Sequence, residues 1–441
     1  RAAWGSTSYA SPNAAQAAQA GDTVLIEAGI YWEGGNFAGG RHDVALNPVN
    51  NGTAGNPITF RGVGNVYVRL NNGVRGPMIG CANGRSYIIW DHFIIDDYYG
   101  GSQPDTGPVV FVGSNHCQLL NSEVMGHSGS YYWGYRFDAA FGGRASSSGT
   151  TITCTNGQCR FQSQEFAPGN TIGYGGQIYT VASVIDNGTL TVTTAPSPSW
   201  VDVPYTTTGF YGNYNAVRIE YADFNTIKNN TIHRVHIAGT PTGGQNEAGI
   251  MTYDASDNII ENNEIYDTGQ GVFIKGAHAP SVQARNIIRY NYVHDNWSGI
   301  RVLGAVDTKI YQNIVTNNAY VGIWAGFFDS TRSRFVNNTL YNNSTSGTQA
   351  QSRDVVDVHF KNNIIVGSRA AVYDWDAVNP SLQNMVYDRN LYYNHSMFGD
   401  YPVGTITFPS WQVTYGLDVN SLNAVNPLFV NREVPRLSLS L

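Results

Sequence analysis

Gly299-Ile300-Arg301-Val302-Leu303 is followed by Asn313-Ile314-Val315, and the same order then returns as Gly322-Ile323-Trp324-Ala325 and Asn338-Thr339-Leu340. Between Asn215 and Asn343 this unit keeps recurring: a small residue opens a short apolar strand, a turn follows, and then comes Asn-x-(Ile/Val/Leu). The repeated asparagines are Asn230, Asn263, Asn291, Asn313, Asn338 and Asn363, at intervals of 33, 28, 22, 25 and 25 residues. An irregular period mostly in the twenties, carried by strand-like segments, marks a solenoid whose turns stack on one another.

Residue types favour strands. Ala216-Val217-Arg218-Ile219-Glu220, Gly249-Ile250-Met251-Thr252-Tyr253 and Gly271-Val272-Phe273-Ile274-Lys275 join the two glycine-opened segments above. Successive strand residues point to opposite faces, so Val217, Ile250, Val272, Ile300 and Ile323 stack inside, while Arg218, Met251, Phe273, Arg301 and Trp324 point out. The asparagines suit sharp corners, where Asn tolerates left-handed backbone and its amide can bond the asparagine of the next coil. The fold class expected is all-β: a single-stranded parallel β-helix. Because a solenoid grows by adding coils, residues 1–441 are expected to form one domain.

Composition agrees. Charged residues are 13% and hydrophobic ones 42% of the 441-residue chain, with 49 glycines, as in a turn-rich β protein and unlike a disordered one. A net charge of −7 argues against a nucleic-acid partner. No apolar run is long enough to cross a bilayer, and the sequence starts at Arg1 with no visible signal peptide, as a processed chain would. Cys154 and Cys159 flank Thr-Asn-Gly-Gln; with Asn156-Gly157 as a two-residue hairpin turn they face each other across strands and are expected to form a disulfide. That implies a secreted or otherwise extracytoplasmic protein. Cys81 and Cys117 fall on coil positions and are expected to be buried thiols.

In chain order, Ala-rich Asn13 to Ala20 predicts a short helix capping the first coil, which would otherwise expose an edge. Coils follow from Ile58 to Val124, with a loop carrying Asp97, Tyr98, Tyr99 and Asp105. Residues 140–210 break the pattern and are read as an inserted β-hairpin module, with strands at Thr151 to Thr153, Gln177 to Val184 and Thr189 to Thr193. Long loops at His233 to Ala248 and Asn342 to Val356 fall on the same edge, turning the neighbouring sheet into the floor of a groove suited to an extended polymer. Weaker coils continue over 366–441.

Ala20 to Tyr31 resembles the opening segment, and Asn426-Pro427-Leu428-Phe429-Val430 the closing segment, of secreted right-handed parallel β-helix proteins of the pectate-lyase-like superfamily. That superfamily holds lyases, glycoside hydrolases, epimerases and phage tailspikes, so the resemblance implies a fold and a carbohydrate ligand without choosing a reaction.

The outward face offers the chemistry. Arg218 and Glu220, Tyr253 with Asp254, Lys275, Arg301 and Trp324 come from neighbouring coils about 4.8 Å apart; Phe327, Phe328 and Asp329 follow. A polysaccharide lyase removes the proton α to a uronate carboxyl and expels the 4-linked sugar. It needs a base and a positive group facing the substrate carboxylate. Lys275 as base, flanked by Arg218 and Arg301, with Tyr253 as proton donor, meets that need, since neighbouring positive charge favours the neutral amine. The lysine one coil before an arginine resembles the chondroitinase B and alginate lyase family of β-helix enzymes. That resemblance implies calcium held by acidic residues just before the lysine; Gly271-Val272-Phe273-Ile274 carries none, though Asp254 and Glu220 lie one and two coils earlier. Two alternatives stay open: a glycoside hydrolase with Glu220 and Asp254 roughly 5–9 Å apart, in which Trp324, Tyr253, Tyr131, Tyr132 and Trp133 would stack on sugar faces as in a lyase, and a non-catalytic tailspike or adhesin holding a glycan in the same aromatic groove. His236 and His278 are candidate groove residues; His233 and His294, two coils apart around Tyr266, read as a stacking row. Four close zinc-type ligands are absent from the sequence. A polysaccharide substrate is the partner expected, with no membrane and no partner subunit.

Overall fold

The computed structural model describes residues 14–33, 44–70, 77–96, 107–126, 144–155, 159, 161, 168, 171–174, 177–186, 188–207, 215–235, 246–276, 283–326, 330–343, 346–350, 355–374, 384–400 and 404–429. The chain divides into two compact units, one of Arg1–Val112, Glu123–Arg218 and His233–Ala248, the other of Gly113–Ser122, Ile219–Ile232 and Gly249–Leu441.

In the second unit each coil gives one strand to each of three parallel sheets. Ala248–Tyr253, Gln270–Lys275, Ser298–Leu303, Val321–Ala325, Ser346–Ala350 and Ala370–Asp374 succeed one another in the first. Thr226–Lys228, Ile259–Glu261, Ile287–Arg289, Lys309–Tyr311, Arg334–Val336 and His359–Lys361 form the second. Glu264–Thr268, Tyr292–His294, Ile314–Thr316, Thr339–Tyr341, Ile364–Val366 and Leu391–Tyr393 form the third. The register matches the alternation in the sequence: Val272 pairs with Ile300 and Ile300 with Ile323, while Phe273 pairs with Arg301 and Arg301 with Trp324. Ile250, Val272, Ile300 and Ile323 are fully buried, as is Val217 in the other unit. Each such aliphatic side chain stabilises the interior by about 1.5–3 kcal/mol. Met251, Phe273 and Trp324 are buried too, so the outward row is also covered.

The repeated asparagines form a continuous ladder. Asn230, Asn263, Asn291, Asn313 and Asn338 each donate both a backbone N–H and Nδ2 to the Oδ1 of the next, at 2.9–3.1 Å. Asn363 does the same to Asn390. Two further ladders, Asn225-Asn258-Asn286 and Asn296-Asn318-Asn343, run parallel at other corners. One expectation needs correcting: the left-handed residue is not the ladder asparagine but the one before it. Asn229, Asn262, Tyr290, Gln312, Asn337, Asn362 and Arg389 all have φ between 55° and 58°. The corner turns on that residue, which frees the following Asn side chain to point inward. Four of these seven are asparagine, the type that bears this conformation at least cost.

The last ladder rung ends on a plug. Asn390 donates Nδ2 to Asp418 Oδ1 (3.0 Å) and its backbone N–H to Ser421 Oγ (2.8 Å). Trp411 Nε1 and the Tyr392 hydroxyl donate to Asp418 Oδ2, each at 3.0 Å. Burial raises the Asp418 carboxyl above its ordinary value even though four side chains donate to it. Trp411 sits on the helix Phe408–Tyr415, which opens on an N-capping Thr407 with Pro409 in its first turn and closes on left-handed Gly416. Here the expectation of weak coils over 366–441 is corrected: coils persist to Leu422–Asn423, but 408–415 is helical. Composition hid the helix, because Thr-Phe-Pro-Ser reads as a loop.

In the first unit, Thr23–Glu33 pairs in parallel with Ile58–Leu70, and the latter with Ile88–Asp91 and Ile94–Asp96. The predicted opening helix exists as Ala14–Ala17. Ile79–Ala82 pairs with Val109–Val112. Residues 140–210 are more than hairpins. Arg144–Ser148, Thr151–Cys154, Thr171–Tyr174, Gln177–Val184, Thr189–Val192 and Val203–Thr207 close into a barrel. Ala145, Ile152, Phe161, Ile172, Val181 and Leu190 fill it. The strands the sequence reading missed are Arg144–Ser148, Thr171–Tyr174 and Val203–Thr207, short runs without a sustained alternation of apolar and polar residues. Cys154 and Cys159 do form a disulfide, with Cα atoms 5.7 Å apart. They are not cross-strand partners, however: Cys154 pairs with Ala145, and Cys159 lies in no strand. Cys81 and Cys117 are buried and form no disulfide. No described helix is long and apolar enough to cross a membrane.

Asn291→Ala removes an oxygen that accepts two bonds from Asn263 and an amide that donates to Ile260 O and Asn313 Oδ1. With those buried groups orphaned, urea unfolding should show a loss of about 3–5 kcal/mol. The exposed Lys309→Ala should stay within about 0.5 kcal/mol of the parent.

Candidate active site

Three strand-end contacts align four coils of the second unit. The Tyr221 N–H donates to Tyr253 O (3.1 Å), the Asp254 N–H to Lys275 O (3.2 Å) and the Gly276 N–H to Leu303 O (2.8 Å). Glu220, Tyr253, Lys275 and Leu303 thus end successive strands. Phe273, Arg301 and Trp324 form the column two residues earlier. The Lys275 Nζ lies 5.5 Å from the Tyr253 ring centroid and 6.0 Å from that of Phe273.

Arg301 is the unusual member. Its guanidinium carbon stands 3.9 Å from the centre of the Trp324 ring and 4.9 Å from that of Phe273, so the plane is held between aromatics from the coils on either side. The side chain is buried, and its Nε has no hydrogen-bond partner. Among the described residues no carboxylate or other acceptor meets it. Burial pulls its pKa down from 12.5 to about 10, with Tyr320 acting weakly in the opposite sense. It therefore remains a cation at neutral pH. Two desolvated cation–π contacts offset about 2 kcal/mol each, whereas removing an ion from water costs several. A buried charge left in this state is complementary to an anion brought from outside.

The other expected residues fall around or away from this pair. Tyr253 and Lys275 are half-buried. Asp254 is half-buried, in a turn with φ of 46°. Glu220 is fully buried. Arg218, in the other unit, is buried and donates Nη1 to Asn215 Oδ1 at 3.0 Å. Trp324 packs on Arg301. His236 and His278 lie outside the described residues, as do Asp97, Tyr98, Tyr99, Asp105, Tyr131, Tyr132, Trp133, Phe327, Phe328, Asp329 and most of the loops expected to wall the groove. His294 stacks between Tyr266 and Tyr292, with centroids 5.1 and 4.0 Å away, and lies 2.7 Å from an Asp295 carboxylate oxygen, so the stacking row expected there includes it. His233 meets Glu123, 3.0 Å away.

Sequence reading overlooked Trp297 and Tyr320. Their rings stack at 4.4 Å, and Tyr320 meets the edge of Trp324 at 6.2 Å. The signal was available: each stands two residues before a strand-opening glycine, in Trp297-Ser298-Gly299 and Tyr320-Val321-Gly322. No group of three or more His, Cys, Asp or Glu side chains suited to a metal gathers among the described residues.

Residues 215–390 match the family model described as the right handed beta helix region. This part of the chain is a right-handed parallel β-helix. No curated protein matches the chain. Among solved structures it is similar to the A-module of mannuronan C-5 epimerase AlgE4 from Azotobacter vinelandii, at 13% identity and a TM-score of 0.41, over 92% of this chain and 87% of that one. It is similar to a PL6 family polysaccharide lyase from Pseudopedobacter saltans at 12% and 0.44, over 94% and 90%. An alginate lyase from Paenibacillus sp. shows 13% and 0.41, over 92% and 94%. Likeness this distant says nothing about activity.

If Arg301 is held for a ligand rather than for the fold, Arg301→Met should stabilise the free protein. The thioether keeps the contacts with Phe273 and Trp324 without the buried charge, and the gain expected in urea unfolding is about 1–3 kcal/mol. A loss of stability would show that the guanidinium is structural.

Proposed function

We propose that the chain is an extracytoplasmic polysaccharide lyase that cuts a uronate-containing polymer by β-elimination. The observation that carries this reading is the buried Arg301 guanidinium, which meets no acceptor among the described residues, on the coil next to the half-exposed Lys275 amine. Arg301 receives the substrate carboxylate. That contact neutralises the carboxylate and stabilises the negative charge that spreads onto it when the α-proton leaves. Lys275, in its neutral form, takes that proton from C5. Electrons from the C5–H bond form the C4–C5 double bond, the C4–O bond breaks, and the departing oxygen takes a proton from the Tyr253 hydroxyl. Tyr253 lies against Lys275, which places base and proton donor at the same sugar. The buried position of Glu220 gives the hydrolytic alternative less support, since a general acid must touch the glycosidic oxygen. An extracytoplasmic setting accords with the disulfide.

Alginate, pectate and glycosaminoglycans should be screened for the ultraviolet absorbance of an unsaturated uronate. On the polymer that responds, Lys275→Ala should lower kcat by at least about 100-fold. Arg301→Gln should lower kcat/KM by about 100-fold or more. The profile of kcat/KM should fall as pH passes about 10, where Arg301 in the free enzyme loses the charge that meets the carboxylate. Absence of that absorbance on every polymer, or full activity in Lys275→Ala, would sink the proposal.

A further inference from the structure

The Trp297–Tyr320 pair stands in a column of its own. Tyr320 donates its backbone N–H to Trp297 O (2.8 Å), and Trp297 donates its own to Thr268 O (3.0 Å). Ser298 donates its backbone N–H to Gly269 O (2.9 Å), so the coil before Trp297 presents Gly269 at the matching position. One face of the indole is stacked on Tyr320, at 4.4 Å and 13° between planes. Gly269 puts no side chain at the matching position, and among the described residues Tyr320 is the only ring that Trp297 meets. Trp297, Tyr320 and Gly269 are all partly exposed.

The other face of the indole, which no described ring covers, lies one coil spacing, about 4.8 Å, from the backbone of Gly269, room for one ring laid against it. From there the aromatic contacts lead by Tyr320 and Trp324 to the guanidinium of Arg301. We infer that the face of Trp297 turned toward Gly269 is a stacking subsite for a pyranose ring of the same polymer beyond the two sugar rings bound at Arg301, and that it sets the preference for longer chains. This inference rests on the reading of Arg301 as the carboxylate site. A pyranose has one face of C–H groups, which suits an indole, and hydroxyls at its rim, which stay in water at a partly exposed position. The stack on Tyr320 holds the indole plane still, so little side-chain freedom is lost on binding.

The test is calorimetric titration of the full chain with mannuronate, galacturonate and glucuronate-containing hexasaccharides and with the disaccharide of the one that binds, with the unfolding midpoint of each variant as a control. Trp297→Ala should weaken hexasaccharide binding about tenfold and leave the disaccharide within about twofold, because the disaccharide reaches only the Arg301 site. Gly269→Leu, which covers the indole while keeping it, should do the same and serves if Trp297→Ala unfolds. Arg301→Gln should weaken both ligands. Unchanged hexasaccharide affinity in Trp297→Ala and Gly269→Leu overturns the subsite and leaves the Arg301 reading intact, as does an equal loss for both ligands. Loss confined to the hexasaccharide in the Trp297 and Gly269 variants, with Arg301→Gln binding like the parent, supports the subsite and overturns the carboxylate reading. No binding of any hexasaccharide to the parent overturns both.

Discussion

Buried asparagine amides hold the coils in register. A coil of about 25 residues must turn sharply at each corner, and each turn leaves backbone N–H and C=O groups facing an interior with no water. An asparagine inside the corner satisfies both kinds at once: Asn313 donates Nδ2 to Ile288 O, one coil back, and accepts from Asn291 with its own oxygen. An orphaned buried donor costs about 1–3 kcal/mol, so a corner shifted by one residue would lose several such bonds and turn the aliphatic residues outward. The ladder therefore sets the register on which every outward side chain depends. Its last rung needs a terminator, and Asp418 supplies it with Ser421 and Trp411.

A solenoid held this way can carry an unfavourable feature locally. Arg301 is buried between Phe273 and Trp324 with no acceptor among the described residues, a position that the flanking strands hold at both ends. Elsewhere on the coil surface, charges are matched in pairs: Asp257 with Arg285, Asp307 with Arg332, Asp357 with Arg334, and Glu261 with both Lys228 and Arg289. The contrast sets Arg301 apart from these coil ion pairs. A matched surface pair contributes at most about 1 kcal/mol, whereas an unmatched buried cation costs more than that until an anion arrives.

The two additions to the coil have separate grounds for stability. The barrel of residues 144–207 has its own core of Ile152, Phe161, Ile172, Val181 and Leu190 and its own disulfide. The helix Phe408–Tyr415 has little amphipathic character, yet it places Trp411 against Tyr387 and Asp418. It is a plug shaped by what it meets.

The periodic part of this protein was legible because solenoid geometry repeats: the intervals of 33, 28, 22, 25 and 25 residues between asparagines are the separations of hydrogen-bonded rungs. Alternation likewise told which side chains of Gly271 to Lys275 and Gly299 to Leu303 point out, and so brought Lys275, Arg301 and Trp324 onto one face. What the sequence could not say was which of those outward groups stay paired and which do not. Pairing depends on neighbours from coils more than twenty residues away, at distances of a few ångströms. Only the tertiary structure showed Arg301 clasped by two rings without an acceptor among the described residues, Glu220 closed off from water, and Trp297 stacked on Tyr320 beside the glycine of the coil before it.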